Sequence, residues 1–237
     1  MTSRIPPHPE KAAFETPPAA TPQDKAAVSK DAEPPIQPPL RCGPEARGPS
    51  NIDGGKSAAY LRGMALLPII TAPDPRLKIQ AKPVAKVDAK VRRLMDDMLE
   101  TMYHAIGIGL AAPQVGAAER VLVVDVAREG EEPNPMRIAN PEIVWRSDET
   151  MIANEGCLSL PEHYADVARP RAIRLRYLDH ENEIREIEAE GLLATCLQHE
   201  IDHLDGVLFV DHISILKRGM ILKKLAKAKR SRALQPA

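Results

Sequence analysis

Apolar and polar positions fall into regular patterns from Met64 onward. Val91, Leu94, Met95, Met98 and Met102 recur at the 3.6-residue spacing of a helix, and Asp88 stands where an N-cap would. A glycine-rich loop follows, Gly107 to Gly116. Short β-branched runs come next: Val121–Val126, Ile138–Trp145, Ile173–Leu178 and Ile184–Ala189. The polar segment Asp179–Glu183 between the last two predicts a hairpin turn. An apolar helical stretch runs from about Gly191 to His203, and a last helix from after Ser214 to about Arg230. Strands mixed with few helices predict an α+β domain rather than βαβ repeats. The expected arrangement is small antiparallel sheets packed around the Gly191–His203 helix, with a C-terminal helix added.

Residues 1–63 break the pattern. They hold 12 of the 23 prolines and almost no large apolar residues. Such a stretch buries too little surface to offset its ordering entropy, so it is expected to be disordered. Its 8 basic and 7 acidic residues fit a mitochondrial or plastid transit peptide poorly. A translation start at Met64 is the simpler account, leaving 64–237 as the folded domain.

Composition narrows the function classes. The net charge is -1, so no global charge draws the chain to nucleic acid or membrane. No apolar run is long enough to span a bilayer. The three cysteines, Cys42, Cys157 and Cys196, are too few and odd in number for a disulfide scaffold. A reducing compartment, the cytoplasm, is expected, with no disulfide partner. Charge is unevenly spread: residues 217–232 carry eight Lys/Arg and no acid, whereas 64–216 carry 16 basic and 26 acidic residues. A solvated helix face is the plainer reading. A docking element for a polyanion such as ribosomal RNA is the sharper one.

The chemistry concentrates at His199-Glu200-Ile201-Asp202-His203, an HExxH sequence. Positions i and i+4 share one helix face, so two imidazoles can grip one ion while the adjacent Glu200 reaches a water on it. A catalytic site of this kind needs a third protein ligand and one open position. The usual downstream ligands are missing. Phe209 stands where the HExxHxxGxxH pattern needs histidine, and no Glu follows Glu200. Asp205, Asp211 and His212 remain, but match neither pattern. Upstream, Cys157 in Glu155-Gly156-Cys157-Leu158-Ser159 is the best candidate, since thiolate binds zinc or ferrous iron strongly. Gly156 is expected to permit a tight bend there. Cys196, three residues before His199, is the rival ligand.

Three segments together resemble the peptide deformylases. Gly107-Ile108-Gly109-Leu110-Ala111-Ala112-Pro113-Gln114, Glu155-Gly156-Cys157-Leu158-Ser159 and Gln198-His199-Glu200-Ile201-Asp202-His203 match that family's three motifs in order. The likeness spans roughly Leu67 to Arg230.

The resemblance implies hydrolysis of the formyl group from N-formylmethionine on nascent chains. It implies one ferrous ion, with Zn2+, Ni2+ or Co2+ as substitutes, held by Cys157, His199 and His203. Glu200 would act as general base and acid. The Gln114 amide and the Leu158 N–H would stabilise the charge developing on the formyl oxygen. Gly107 and Gly109 would let the substrate peptide pair as an added strand, and Ile108, Leu192 and Cys196 would line its methionine pocket. Arg171 would be the partner of Glu155. The competing accounts are an HExxH metallopeptidase and a non-catalytic ribosome-associated metal-binding protein.

Overall fold

The computed structural model describes residues 65–128 and 130–233. The extension 1–63, the Met64 start and Cys42 lie outside the described residues. Three helices, α1 (Ala89–His104), α2 (Gly191–Leu204) and α3 (Ile215–Ala233), accompany seven strands. These are β1 (Gly109–Ala111), β2 (Val121–Val124), β3 (Met136–Arg146), β4 (Thr150–Gly156), β5 (Tyr164–Pro170), β6 (Ala172–Leu178) and β7 (Ile184–Glu190). All pairings between these strands are antiparallel. One sheet has the order β1-β2-β3-β6-β7; β4 and β5 form a second. The α+β expectation holds.

The apolar stripe of α1 buries Val91, Met95, Met98 and Met102, and the Asp88 carboxylate caps the helix by accepting from Val91 N–H at 3.0 Å. The Asp179–Glu183 turn also forms as expected: Asp179 Oδ1 accepts from the Glu181 and Glu183 N–H groups at 2.8 and 2.9 Å.

Strand β2 decides the layering. Its four residues are all buried, because helices cover both faces. Leu122 and Val124 join Ile138, Ile173 and Leu175 against Ala194, Leu197, Ile201 and Leu204 of α2. Val121 and Val123 face the other way, onto the methionines of α1. The β4–β5 pair packs through Ala165 and Val167 onto Leu208, Phe209 and Val210, and Leu225 of α3 closes that cluster. Helix α2 therefore carries the large sheet on one side and meets the end of β4 on another.

Candidate metal centre

Cys157 is the first residue beyond β4, and His199 and His203 lie one turn apart on α2. All three are buried, and one ligand atom from each lies within 4.8 Å of the others. Cys157 Sγ is 3.2 Å from His203 Nε2. The His199 and His203 rings meet edge to face, with centroids 5.0 Å apart. Phe209 stacks on the far side of His199 at 6.2 Å.

A second set of side chains fixes these three. Nδ1 of His199 donates to Glu155 Oε2 at 2.8 Å, which leaves Nε2 as the ligand atom. Glu155 accepts a second hydrogen bond from Arg169 Nη2, 3.0 Å away. Arg169 Nη1 reaches Asp202 Oδ2 at 2.9 Å, and the same oxygen is 2.7 Å from His212 Nε2. Charges so buried must be paired, and each is. His203 lacks such support: its buried Nδ1 has no hydrogen-bond partner among the described residues.

The Cys157 sulfur is held by donors. Ser159 N–H is 3.4 Å from Cys157 Sγ, and Gln114 Nε2 is 3.6 Å away. The Gln114 amide cannot turn over freely, because its Oε1 accepts from Ala111 N–H at 2.7 Å. Its NH2 therefore faces Cys157 and the Ser159 hydroxyl.

Glu200 stands beside His199, buried, with Oε2 unpartnered among the described residues. Burial lifts its carboxyl to about 7, with His199 pulling down and Glu155 pushing up. Burial also opposes charge on His199, but the Cys157 thiolate and Glu155 outweigh it and hold that imidazole well above its ordinary value. Burial and the neighbouring His199 charge keep His203 well below its own. A soft thiolate with two imidazoles suits a divalent transition ion, and the unpartnered Glu200 oxygen suits a water beside it. The residues fit a catalytic metal site.

A cavity of about 460 Å³, part of it open to solvent, leads to this centre. Ile108, Leu158, Leu192, Thr195 and Cys196 line it along with Gln114, Cys157, His199 and Glu200.

Residues 66–219 match the profile of the family described as Polypeptide deformylase. The chain belongs to the peptide deformylase family.

The peptide deformylase of Methylocella silvestris is 58% identical over 176 residues, covering 73% of this chain and 90% of that protein. That of Agrobacterium fabrum is 56% identical over 169 residues, covering 71% and 99%. Among solved structures, peptide deformylase from Ehrlichia chaffeensis aligns with a TM-score of 0.69 at 42% identity, covering 72% of this chain and all of that one. The same enzyme in complex with actinonin gives 0.68 at 45% identity, covering 70% and 99%.

Residues of the three motif segments line one cavity. Ile108, Gly109, Gln114, Cys157, Leu158, Leu192, Cys196, His199 and Glu200 line the cavity, and His203 stands with Cys157 and His199. Gly107 lies next to the cavity, where an added Cβ would come within 2.8 Å of Leu158 Cδ1. Gly109 likewise makes room: a Cβ there would meet Cys196 Sγ at 2.8 Å and the Glu200 carboxylate. Cys196 is not in a disulfide, and it sits beside the cavity with Sγ 3.5 Å from the Ile108 carbonyl.

Two expectations need correction. Arg171 is not the partner of Glu155. It sits past the end of β5, exposed, and pairs with Glu149 at 2.8 Å. Arg169 is inward on β5, in the same parity as buried Ala165 and Val167, and takes Glu155. Gly156 does not make the expected tight bend: it is the last residue of β4, paired with Tyr164. It is glycine because a Cβ would lie 2.5 Å from Tyr164 Cε1, on the residue paired across the ladder. Asp202, Ser159 and Thr195 were not singled out from sequence, and His212, weighed there as a ligand, pairs with Asp202 instead. Only their proximity in space marks them.

Proposed function

We propose that the chain hydrolyses the formyl group from N-formylmethionine at the start of nascent polypeptides, releasing formate. One observation carries this: Glu200 presents an unpartnered, buried carboxylate oxygen beside a Cys–His–His centre at the end of a mostly apolar cavity. Cys157, His199 and His203 would hold the ion. When bound it supplies Lewis acidity toward the formyl oxygen and toward a water. Ferrous iron is the proposed native ion, with Zn2+, Ni2+ or Co2+ as substitutes.

Glu200 takes the proton from the attacking water at Oε2 and passes it to the departing amine nitrogen. Its burial keeps proton affinity high enough for both steps. Gln114 Nε2 is turned toward the centre and donates to the formyl oxygen as charge builds there. The Leu158 N–H serves the same oxygen; it donates to no group among the described residues.

The peptide part of the substrate would lie along β1. That strand is an edge of its sheet. Asp125 N–H donates to the Ile108 carbonyl at 2.9 Å, so by the antiparallel alternation the N–H and C=O of Gly109 point away from β2. An extended peptide can pair with them. Ile108, Leu192 and Cys196 then surround its first side chain.

Two partner assignments go with this reading. Lys217, Lys223, Lys224, Lys227, Lys229 and Arg230 of α3 are exposed, which supports docking of this helix on ribosomal RNA, where nascent chains emerge. No helix among the described residues is long and apolar enough to cross a membrane. The cytoplasm, where nascent chains emerge, is the proposed compartment.

The test is anaerobic incubation with formyl-Met-Ala-Ser and with the unblocked peptide. Stoichiometric formate from the first alone is expected. Internal cleavage without formate would support a metallopeptidase instead.

A further inference from the structure

One face of α2 presents Leu192, Thr195, Cys196, His199 and Glu200 to the cavity, at the i, i+3, i+4, i+7 and i+8 positions. The last two belong to the metal centre, and Leu192 and Cys196 suit an apolar side chain. Thr195 does not fit that pattern. It is only 3% exposed, and its hydroxyl has no hydrogen-bond partner among the described residues. Thr101 in α1, at 4% exposure, shows the ordinary solution: its hydroxyl donates to the Asp97 carbonyl one turn back at 2.6 Å. Thr195 makes no such bond. The only fully buried side-chain polar atoms without a partner among the described residues are Glu200 Oε2 and His203 Nδ1, so the unpaired Thr195 hydroxyl opens onto the cavity it lines, where a bound ligand can supply its partner.

The position says which part of the ligand that is. Thr195 lies one turn from His199, about 5.4 Å along the axis. In the deformylase reading, with the formyl group at the metal centre, the first side chain of the peptide would enter the cavity on this side. We infer that Thr195 is a specificity-determining residue whose hydroxyl donates to an acceptor in that side chain, and that it allows N-formylmethionine sulfoxide to be deformylated as well as N-formylmethionine. The inference rests on the deformylase reading above. A thioether sulfur is a weak acceptor. A sulfoxide oxygen is a strong one, and an all-apolar pocket would leave it unpaired. Norleucine, of nearly the same shape as methionine, offers no acceptor at all.

The experiment compares kcat/KM for formyl-Met-Ala-Ser and for its methionine sulfoxide and norleucine counterparts, using the metal-loaded wild type, Thr195→Val and Thr195→Ser. The wild type should turn over the sulfoxide peptide. Thr195→Val should lower the sulfoxide-to-norleucine ratio by about fivefold to tenfold, the size of one net hydrogen bond. Thr195→Ser should keep it. An unmoved ratio in Thr195→Val, or an equal fall for all three peptides, would overturn the inference. So would a wild type that rejects the sulfoxide peptide more than about a hundredfold relative to norleucine, whatever the variants do. A wild type releasing no formate from the methionine peptide would overturn the deformylase reading itself.

Discussion

Glu155 Oε2 lies 2.8 Å from Nδ1 of His199 and so decides which nitrogen of that ring faces the thiolate. The pair joins the end of β4 to the middle of α2. It ties the small sheet to the helix that the large sheet supports.

Removing that carboxylate should loosen the metal as well as the fold, since Arg169 loses the same buried partner. Glu155→Gln keeps the shape but loses the charge that favours the correct tautomer. Competition against a chelator should show affinity weaker by about 10–100-fold. An unchanged affinity would mean that packing against Phe209 alone orients His199.

Arg169 and Arg171 should separate cleanly. Arg169→Met leaves Glu155 and Asp202 without their shared cation, a loss of roughly 3–5 kcal/mol for a buried pair broken on one side. Arg171→Met removes an exposed pair and should leave the urea midpoint unchanged. Equal midpoints for the two variants would contradict the network described here.

Gly109→Ala should damage catalysis with the ion still in place. Its added methyl meets Cys196 Sγ and the Glu200 carboxylate, so it pushes on the general base before it touches a ligand. The expected result is at least about a tenfold loss in kcat with near-normal metal content. Full activity would show that α2 shifts freely away from β1.

Asp179 gives a stability change with a fixed sign. Burial pushes its carboxyl up, but Arg185 and the N–H groups of Glu183 and Glu181 outweigh it and hold it below its ordinary value. A depressed carboxyl stabilises above its unfolded pKa, about 3.9, and loses that contribution as pH falls through its folded value. Urea unfolding of wild type and Asp179→Asn should therefore differ most near neutrality and converge below roughly pH 4. A gap that persists in acid would assign the effect to shape instead.

The parts readable from sequence are those with strong periodicity or distinctive spacing. Helix α1 announces itself through Val91, Met95, Met98 and Met102, and α2 through its apolar run and HExxH. Strands β4 and β5 were not read. In β5 the inward positions are Ala165, Val167 and Arg169, and a buried arginine hides the alternation. In β4 the inward Glu155 does the same. With β5 unseen, its parity was unknown, and nothing in the sequence weighed against Arg171, the partner that the resemblance implied. Strand β1, three residues long, is too short for any pattern. Thr195 was invisible for another reason: a threonine in a helix is ordinary until its hydroxyl is found unpaired.

The most direct check on the central claim uses Glu200→Gln, loaded anaerobically with ferrous iron. The variant should retain one ion per chain, since Glu200 is not a ligand, while formate release from formyl-Met-Ala-Ser falls by at least about a hundredfold. Formate release at the wild-type rate with the ion bound would contradict the assignment of Glu200 as the proton carrier of this site.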